Sequence, residues 1–384
     1  MRRISMIQVV GAFALSVSAV AGVMGSPISA ATCQSWGAQP PSVGTYGNDL
    51  LAVTVLSPCD GWAVGYRSDG SLTAETLVEH WNGTTWKVVP SPSPSGHYNY
   101  LEGVAATSAH NVWAVGYTYT GTTSRTLVEH WNGHGWKVQP SPNTGSGGGF
   151  DSVVAFGPRS AWAAGSTTLT SGGTRELIEH WNGDAWKIQS SPKVQTQNGF
   201  SGGIDGSSPR DIWVVGRRGL PLASASTTLI EHWNGTAWKV VRSPNPSAFE
   251  NDLTSVSVIS SSDAWAVGSS DDLAKPSRTL IEHWNGHTWK VVKSPSPGSG
   301  ENLLNGVAMT SKDNGWAVGE VQPGPGVFQT LVEHWNGRSW EVVRSQNFGP
   351  ENAFVAIAAD SASDAWAVGH LAGTVWQVIA VHCC

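Results

Sequence analysis

Charge is scarce in this sequence. Only 13% of its 384 residues are Asp, Glu, Lys or Arg, the net charge is −6, and the 22 basic residues are scattered. No basic patch or stripe forms, which excludes a surface built to read phosphates and with it a nucleic-acid partner. The four cysteines make no Cys-x-x-Cys pair, and there is no His-Glu-x-x-His or His-x-His, so no transition-metal site is expected. Ser68–Gly70 and Asp271–Asp272 are too short for a calcium loop. The glycine run from Gly145 to Gly149 lacks the helix that a phosphate cradle requires. Nothing here implies a metal or a cofactor.

Long apolar runs are equally scarce, with one exception. Arg2 and Arg3 precede an uncharged stretch to about Gly25, followed by small residues through Ala31. That order matches a secretory signal, with Ser29 and Ala31 at −3 and −1 of the cut. Residues 1–31 are therefore expected to be a signal peptide and residues 32–384 the folded chain, secreted to the extracellular side. An uncleaved N-terminal membrane anchor is the minor alternative.

What is abundant is glycine (45) and tryptophan (21). The tryptophans fall in columns. "WAVG" or a close variant begins at Trp62, Trp113, Trp162, Trp213, Trp265, Trp316 and Trp366, every 49 to 52 residues. "EHWNG" occurs six times, and another tryptophan follows each copy by five residues, as Trp86 follows Trp81. Each unit reads as four short strands, a to d. In the first they are "LLAVTVLS", "WAVGY", "TLVEHW" and "TWKVV", with Asn82-Gly83 opening the turn between the last two. A Pro-Ser segment then breaks the ladder, because proline has no amide to donate. Four strands per unit of about 50 residues is the signature of a β-propeller blade.

On these residues the chain resembles the tryptophan-rich repeats of secreted bacterial β-propellers and, more distantly, kelch-type blades. "NGTTW" resembles the Asp-box turn of sialidase-type propellers, with Asn82 where that motif has Asp. The arginine trio of sialidases has no counterpart. The resemblance covers everything after the signal and implies a fold, not an activity, since propellers host many functions.

There are seven "WAVG" strands but six complete c–d hairpins. Trp36 precedes Trp62 at the spacing of a d-strand tryptophan, and "VIAVHCC" at the C-terminus aligns with "TLVEHWN". The expected fold is all-β: a seven-bladed propeller of four-stranded antiparallel blades, the last closed by the N- and C-terminal strands. Cys33 then faces Cys383 or Cys384 where the ring is cut, and a disulfide to either would restore the link. Cys59 could take a remaining thiol.

The Glu-His-Trp triplet, as at Glu79, His80 and Trp81, Glu179, His180 and Trp181, or Glu231, His232 and Trp233, looks like chemistry. Its repetition argues otherwise, because acid–base catalysis needs groups in unlike environments around one substrate. The column is expected to be structural, its buried polar groups bonded to backbone or indole. The working surface is placed elsewhere. Asparagine recurs before strand a, where it either stabilises the loop, as it does in many turns, or rings the channel mouth together with its variable neighbours. The candidate ligand-binding residues are Asn48, Asp49, Asn99, Tyr100, Asp151, Asn251, Asp252, Asn302 and Asn352.

The function these features favour is a monomeric, non-catalytic binding module for an unknown protein or carbohydrate. Exposed after-turn tryptophans would instead make it a multivalent glycan-binding lectin. A carboxylate pair at the channel mouth would make it a glycoside-acting hydrolase. Secreted protein is expected to lack residues 1–31 and to carry a bridge from Cys33 to Cys383 or Cys384. Intact mass and non-reducing peptide mapping check both, and a free Cys33 in folded protein would refute the bridge.

Overall fold

The computed structural model describes residues 37–38, 46–70, 73–170, 173–192, 198–199, 202–219, 225–273, 275–372 and 377–383, and these contain no helix. Strands Tyr46–Ser57, Asp60–Ser68, Glu75–Trp81 and Trp86–Val88 pair in order as the first blade. Five more such units follow along the chain. In the seventh, Glu351–Ser361, Asp364–Ala372 and Gln377–Cys383 supply strands a to c, and Gly37–Ala38 supplies d. The register of this last pair settles how the ring closes. Gly37 lies opposite His382 and Ala38 opposite Val381, as Lys87 and Val88 lie opposite His80 and Glu79. The fold is a seven-bladed β-propeller. Among the described residues, no helix is long and apolar enough to cross a membrane.

Apolar residues on both faces of each blade follow from stacking, since every inner blade face meets a neighbour. Each hydrophobic cluster draws one face of one blade and the opposite face of the next. Its centrepiece is the "WAVG" tryptophan. Trp113 is fully buried, 4.2 Å from the ring of His130 in its own blade. In the next blade it meets Trp181 at 5.2 Å and the edge of Trp186 at 5.3 Å. The own-blade histidine contact recurs in all seven blades, at 4.1–4.3 Å. Burial of one such indole contributes on the order of 4–6 kcal/mol by area, before entropic losses.

The histidine's position is set by its outer nitrogen. His80, His232, His283 and His382 each place Nε2 within 2.9 Å of an aspartate two residues before a "WAVG" tryptophan. His130 and His334 use Asn111 and Asn314 instead, and burial lowers their pKa values. The "EHW" tryptophan ties the c–d turn to the a–b turn: Trp81 Nε1 donates to the Pro58 carbonyl at 2.9 Å, and four other blades repeat the bond.

The glutamate of the triplet behaves unlike the histidine. Glu79, Glu129, Glu179, Glu231, Glu282 and Glu333 are wholly buried, and neither carboxyl oxygen of any of them has a hydrogen-bond partner. The expected bond to backbone or indole does not form. The indole N–H groups of Trp62, Trp113, Trp162, Trp213, Trp265 and Trp366, which share these inter-blade layers, have no hydrogen-bond partner either. Burial without a partner pushes each carboxyl up to about 8. In blade seven the position is Val381, which needs no partner.

Cys383 is buried and disulfide-bonded. Its partner lies outside the described residues, as do Cys33, Cys384 and Trp36. Cys59 takes no part in a bridge: it is a free, exposed thiol. Its Cβ and Sγ sit over Gly83 of its own blade's c–d turn, at 3.0 Å from where a Cβ would stand. His110, Arg159 and Arg210 occupy the equivalent place in other blades.

A carboxyl that ionises near 4.5 unfolded but only near 8 when folded lowers stability as pH rises between those values, because the unfolded chain releases protons that the folded one keeps. The melting temperature is therefore expected to be highest near pH 5 and to fall towards pH 8. Glu179→Gln should make that slope shallower. Calorimetric melts across this range test it, and stability that climbs from pH 5 to pH 8 would refute proton-loaded glutamates.

Candidate active site at the channel mouth

Strand a begins earlier than its apolar residues indicate. Tyr46–Ser57 pairs with strand b beyond "WAVG", so that Asn48 lies opposite Arg67 and Asp49 opposite Tyr66. The candidate residues thus stand on strands, not on the loop before them.

The asparagines do not face a ligand. Asn48, Asn99, Asn251, Asn302 and Asn352 are 1–2% exposed, because each amide is turned into the protein. Asn99 Oδ1 accepts from the Ser95 amide at 2.8 Å, and its Nδ2 donates to the Ser95 and Ala74 carbonyls at 3.0 Å. Since Ala74 belongs to the preceding blade, the side chain clasps two blades and a loop together. Asn251, Asn302 and Asn352 repeat this on Ser226, Ser277 and Phe328. In Asn99, Asn251, Asn302 and Asn352 both hydrogen-bonding functions of the amide are occupied, the oxygen accepting from a loop amide.

One position further along strand a, side chains differ from blade to blade. Asp49 pairs across with Tyr66, Tyr100 with Tyr117, Asp252 with Ser269, and Ala353 with His370. Asp49 is bound to His370 Nδ1 of blade seven at 3.1 Å; burial raises its pKa and the histidine opposes the rise. Asp252 is pushed up to about 6 by burial, against the pull of Arg217 at 3.8 Å.

Strand a then bulges. The register skips between Leu50 and Ala52, Leu101 and Gly103, Phe150 and Ser152, and likewise in blades five to seven. The extra residue is pushed out of the ladder, towards the axis. The "WAVG" glycine permits this close approach: a Cβ on Gly116 would stand 2.1 Å from the Tyr100 carbonyl oxygen. The skipped residues are Leu51, Glu102, Asp151, Thr254, Asn305 and Val355, and with Gly202 they line a central cavity of 730 Å³.

Two of these are chemically distinctive. Thr254 and Asn305 are committed to the next blade, donating to the Leu304 and Phe354 carbonyls at 2.6 and 2.9 Å. Leu51 and Val355 are apolar. Glu102 and Asp151 remain, on adjacent blades, with no hydrogen bond to any described residue. Burial and the neighbouring Asp49 push Glu102 up to about 7. Burial and Glu102 raise Asp151 well above the carboxylate range. Deeper in the channel, burial pushes Asp205 up to about 6, opposed by the Val258 amide that donates to it at 2.7 Å.

Tyrosine covers this acidic quadrant. Tyr66 and Tyr100 meet at 4.7 Å, Tyr100 and Tyr117 at 5.1 Å. Burial and nearby carboxylates push Tyr66 up to about 12, and the same causes raise Tyr117. The hydroxyls therefore stay protonated and can donate beside the acid pair. No group of three or more His, Cys, Asp or Glu among the described residues could hold a metal ion.

Of the candidates, Asp49, Tyr100 and Asp151 converge here, Asp252 stands further round the mouth, and the asparagines belong to the frame. Glu102, Tyr66, Tyr117 and His370 were not anticipated. The signal for them was variation: they occupy columns that change between repeats beside columns that do not. The after-turn tryptophans Trp86, Trp136, Trp186, Trp238, Trp289 and Trp340 are buried, at 3–6% exposure, and present no face to a sugar.

No family model and no curated protein matches the sequence. Among solved structures, the chain is similar to YCF48 bound to a D1 peptide, at 14% identity and TM-score 0.54 over 91% of this chain and 96% of that one. It is similar to a GH74 xyloglucanase from Xanthomonas campestris, at 11% and 0.53, over 89% of this chain and 55% of that one; it thus spans about half the enzyme's length. It is also similar to an ulvan lyase of polysaccharide lyase family PL25, at 9% and 0.55, over 90% and 94%. At such identities these likenesses show the fold. They also correct the expectation of a non-catalytic module, because the xyloglucanase and the lyase are enzymes on this architecture.

The asparagine clasps make a separate prediction. Asn302→Ala removes bonds to Ser277, Gly298 and Gly300 and leaves buried backbone groups without partners. It is expected to cost about 1–3 kcal/mol, read as a lower denaturation midpoint in urea. An unchanged midpoint would show that the clasp is dispensable.

Proposed function

We propose that this propeller acts on carbohydrate at its channel mouth, cleaving a glycosidic bond with the Glu102–Asp151 pair. The observation that carries the reading is the pair itself: two carboxyls on adjacent blades without hydrogen-bond partners, open to a cavity and both raised by burial, beside tyrosine rings. Like-charge repulsion keeps one of the two protonated while the other ionises. The protonated member can deliver its proton to the leaving glycosidic oxygen, while the ionised member takes a proton from a water whose oxygen bonds to the anomeric carbon as the glycosidic C–O bond breaks. Tyr66, Tyr100 and Tyr117 offer apolar ring surface and hydroxyl donors to a polyhydroxylated ligand. Known carbohydrate-active enzymes of the same fold support the reading. Burial of the repeat tryptophans favours one such site over equivalent sites in every blade.

Release of reducing or unsaturated ends from a panel of plant and algal polysaccharides tests this. Glu102→Gln and Asp151→Asn are each expected to lower kcat by on the order of 10²–10⁴ with little change in melting temperature. Wild-type activity should fall above about pH 7 as Glu102 loses its proton. Full activity in both variants would refute the assignment. Tight binding of a peptide, with no carbohydrate bound, would move the protein towards the peptide-binding behaviour of the YCF48 complex.

A further inference from the structure

Tyrosine is rare in this chain and unevenly placed. There are six, and all lie between Tyr46 and Tyr119, in the first two blades. The five whose side chains are described form one continuous contact series. Tyr66 touches Tyr100 at 4.7 Å, Tyr100 touches Tyr117 at 5.1 Å and Tyr98 at 6.1 Å, and Tyr98 touches Tyr119 at 6.1 Å. Around blade two these contacts keep neighbouring rings within 30° of parallel. All five are half-buried.

The series has a direction. Glu102, Tyr100 and Tyr98 alternate along one strand, and Tyr117 and Tyr119 lie opposite Tyr100 and Tyr98 in register. It therefore starts beside the acid pair and runs away from the channel towards the loop at Gly121. The outer end is fixed: the Tyr119 hydroxyl donates to the Gly121 carbonyl at 2.7 Å. No repeat symmetry explains this, since the matching positions in blade five are Glu250, Asp252, Ser269 and Asp271. Nor does core packing require it, because the core clusters contain none of these rings.

We infer that the tyrosines form an extended track for a linear glycan chain, so that the ligand is a polysaccharide held over several units rather than a single sugar. The inference rests on the carbohydrate reading of the acid pair and adds the form of the substrate. Successive aromatic contacts 5–6 Å apart suit a chain whose units repeat at a comparable step, each offering an apolar ring face and hydroxyls at its rim. The track carries no charge, so its grip comes from ring contact and hydroxyl bonding. Tyr98 and Tyr119, away from the carboxyls, serve binding alone.

The test uses calorimetric titration of Glu102→Gln protein with oligosaccharides from cellulose, xylan and polygalacturonate, disaccharide to hexasaccharide, and with hexaproline as the peptide control. Affinity is expected to rise with chain length for at least one series. Adding Tyr119→Ala or Tyr98→Ala should weaken hexasaccharide binding roughly tenfold and leave disaccharide binding unchanged. In protein with native Glu102, the same tyrosine changes should raise KM for long substrates and spare kcat. Affinity independent of length, or equal losses for short and long ligands, would overturn the track. Failure to bind any of these oligosaccharides, or capture of hexaproline by the tyrosines instead, would overturn it as well. Length-dependent binding that Tyr119→Ala abolishes, found together with normal turnover in Glu102→Gln, would uphold the track and refute only the acid–base role.

Discussion

The insertion of one tryptophan between two blades is the contact on which this molecule depends. A "WAVG" indole cannot be buried by its own four strands; it needs its histidine on one side and the next blade's tryptophans on the other. Every blade therefore both supplies a ring and receives one, and a linear array would leave a tryptophan bare at one end. Closure removes that cost. Blade seven closes with Gly37–Ala38 in the register of the other c–d hairpins. At this seam the receiving face carries Val381 and Cys383 in place of glutamate and tryptophan, and packs on Trp316.

The same repetition explains where the blades are free to differ. Positions that hold blade to blade are constrained in nearly every unit: the indole, the histidine with its Asp or Asn partner (Ser160 for His180), and the asparagine clasp. The bulge in strand a is constrained in its backbone only, through the glycine of "WAVG" that lets the two strands approach. The residue displaced there faces the channel and is free to vary, giving leucine, glutamate, aspartate, glycine, threonine, asparagine and valine around one ring. A rigid sevenfold frame thereby presents an irregular channel lining, and its acidic and tyrosine side chains gather in the quadrant of blades one to three.

Legibility in the sequence follows this division. Blade number, strand order and the shared last blade were visible because each is a matter of spacing, and spacing survives substitution. The asparagine column is equally visible, but constancy alone fits a loop-stabilising residue as well as a ligand-facing one, and burial with bonds to the preceding blade decides for the former. Asp49, Tyr100 and Asp151 were found as variable neighbours, although they were assigned to a loop. Glu102, Tyr66, Tyr117 and His370 escaped notice because two of the features that bring them together are not local. A bulge turns one residue out of the alternation by which strand faces are assigned, and cross-strand partners such as Tyr100 and Tyr117 are 17 residues apart in sequence.

Burial alone does not distinguish a working carboxyl from a structural one. Desolvation raises the six column glutamates to about 8 and Glu102 to about 7, by the same physics. The difference lies in access and symmetry. The column glutamates are sealed between blades, where neither water nor substrate reaches them, and six copies in matching environments cannot divide the roles of donor and acceptor. Glu102 and Asp151 open onto the cavity, one on each of two adjacent blades, and sit against unlike neighbours. A proton held by Glu79 can only weigh on the stability of the fold. One held by the channel pair faces a cavity that a ligand can enter, and that is why the proposed chemistry is placed in the single irregular quadrant rather than in the repeated motif.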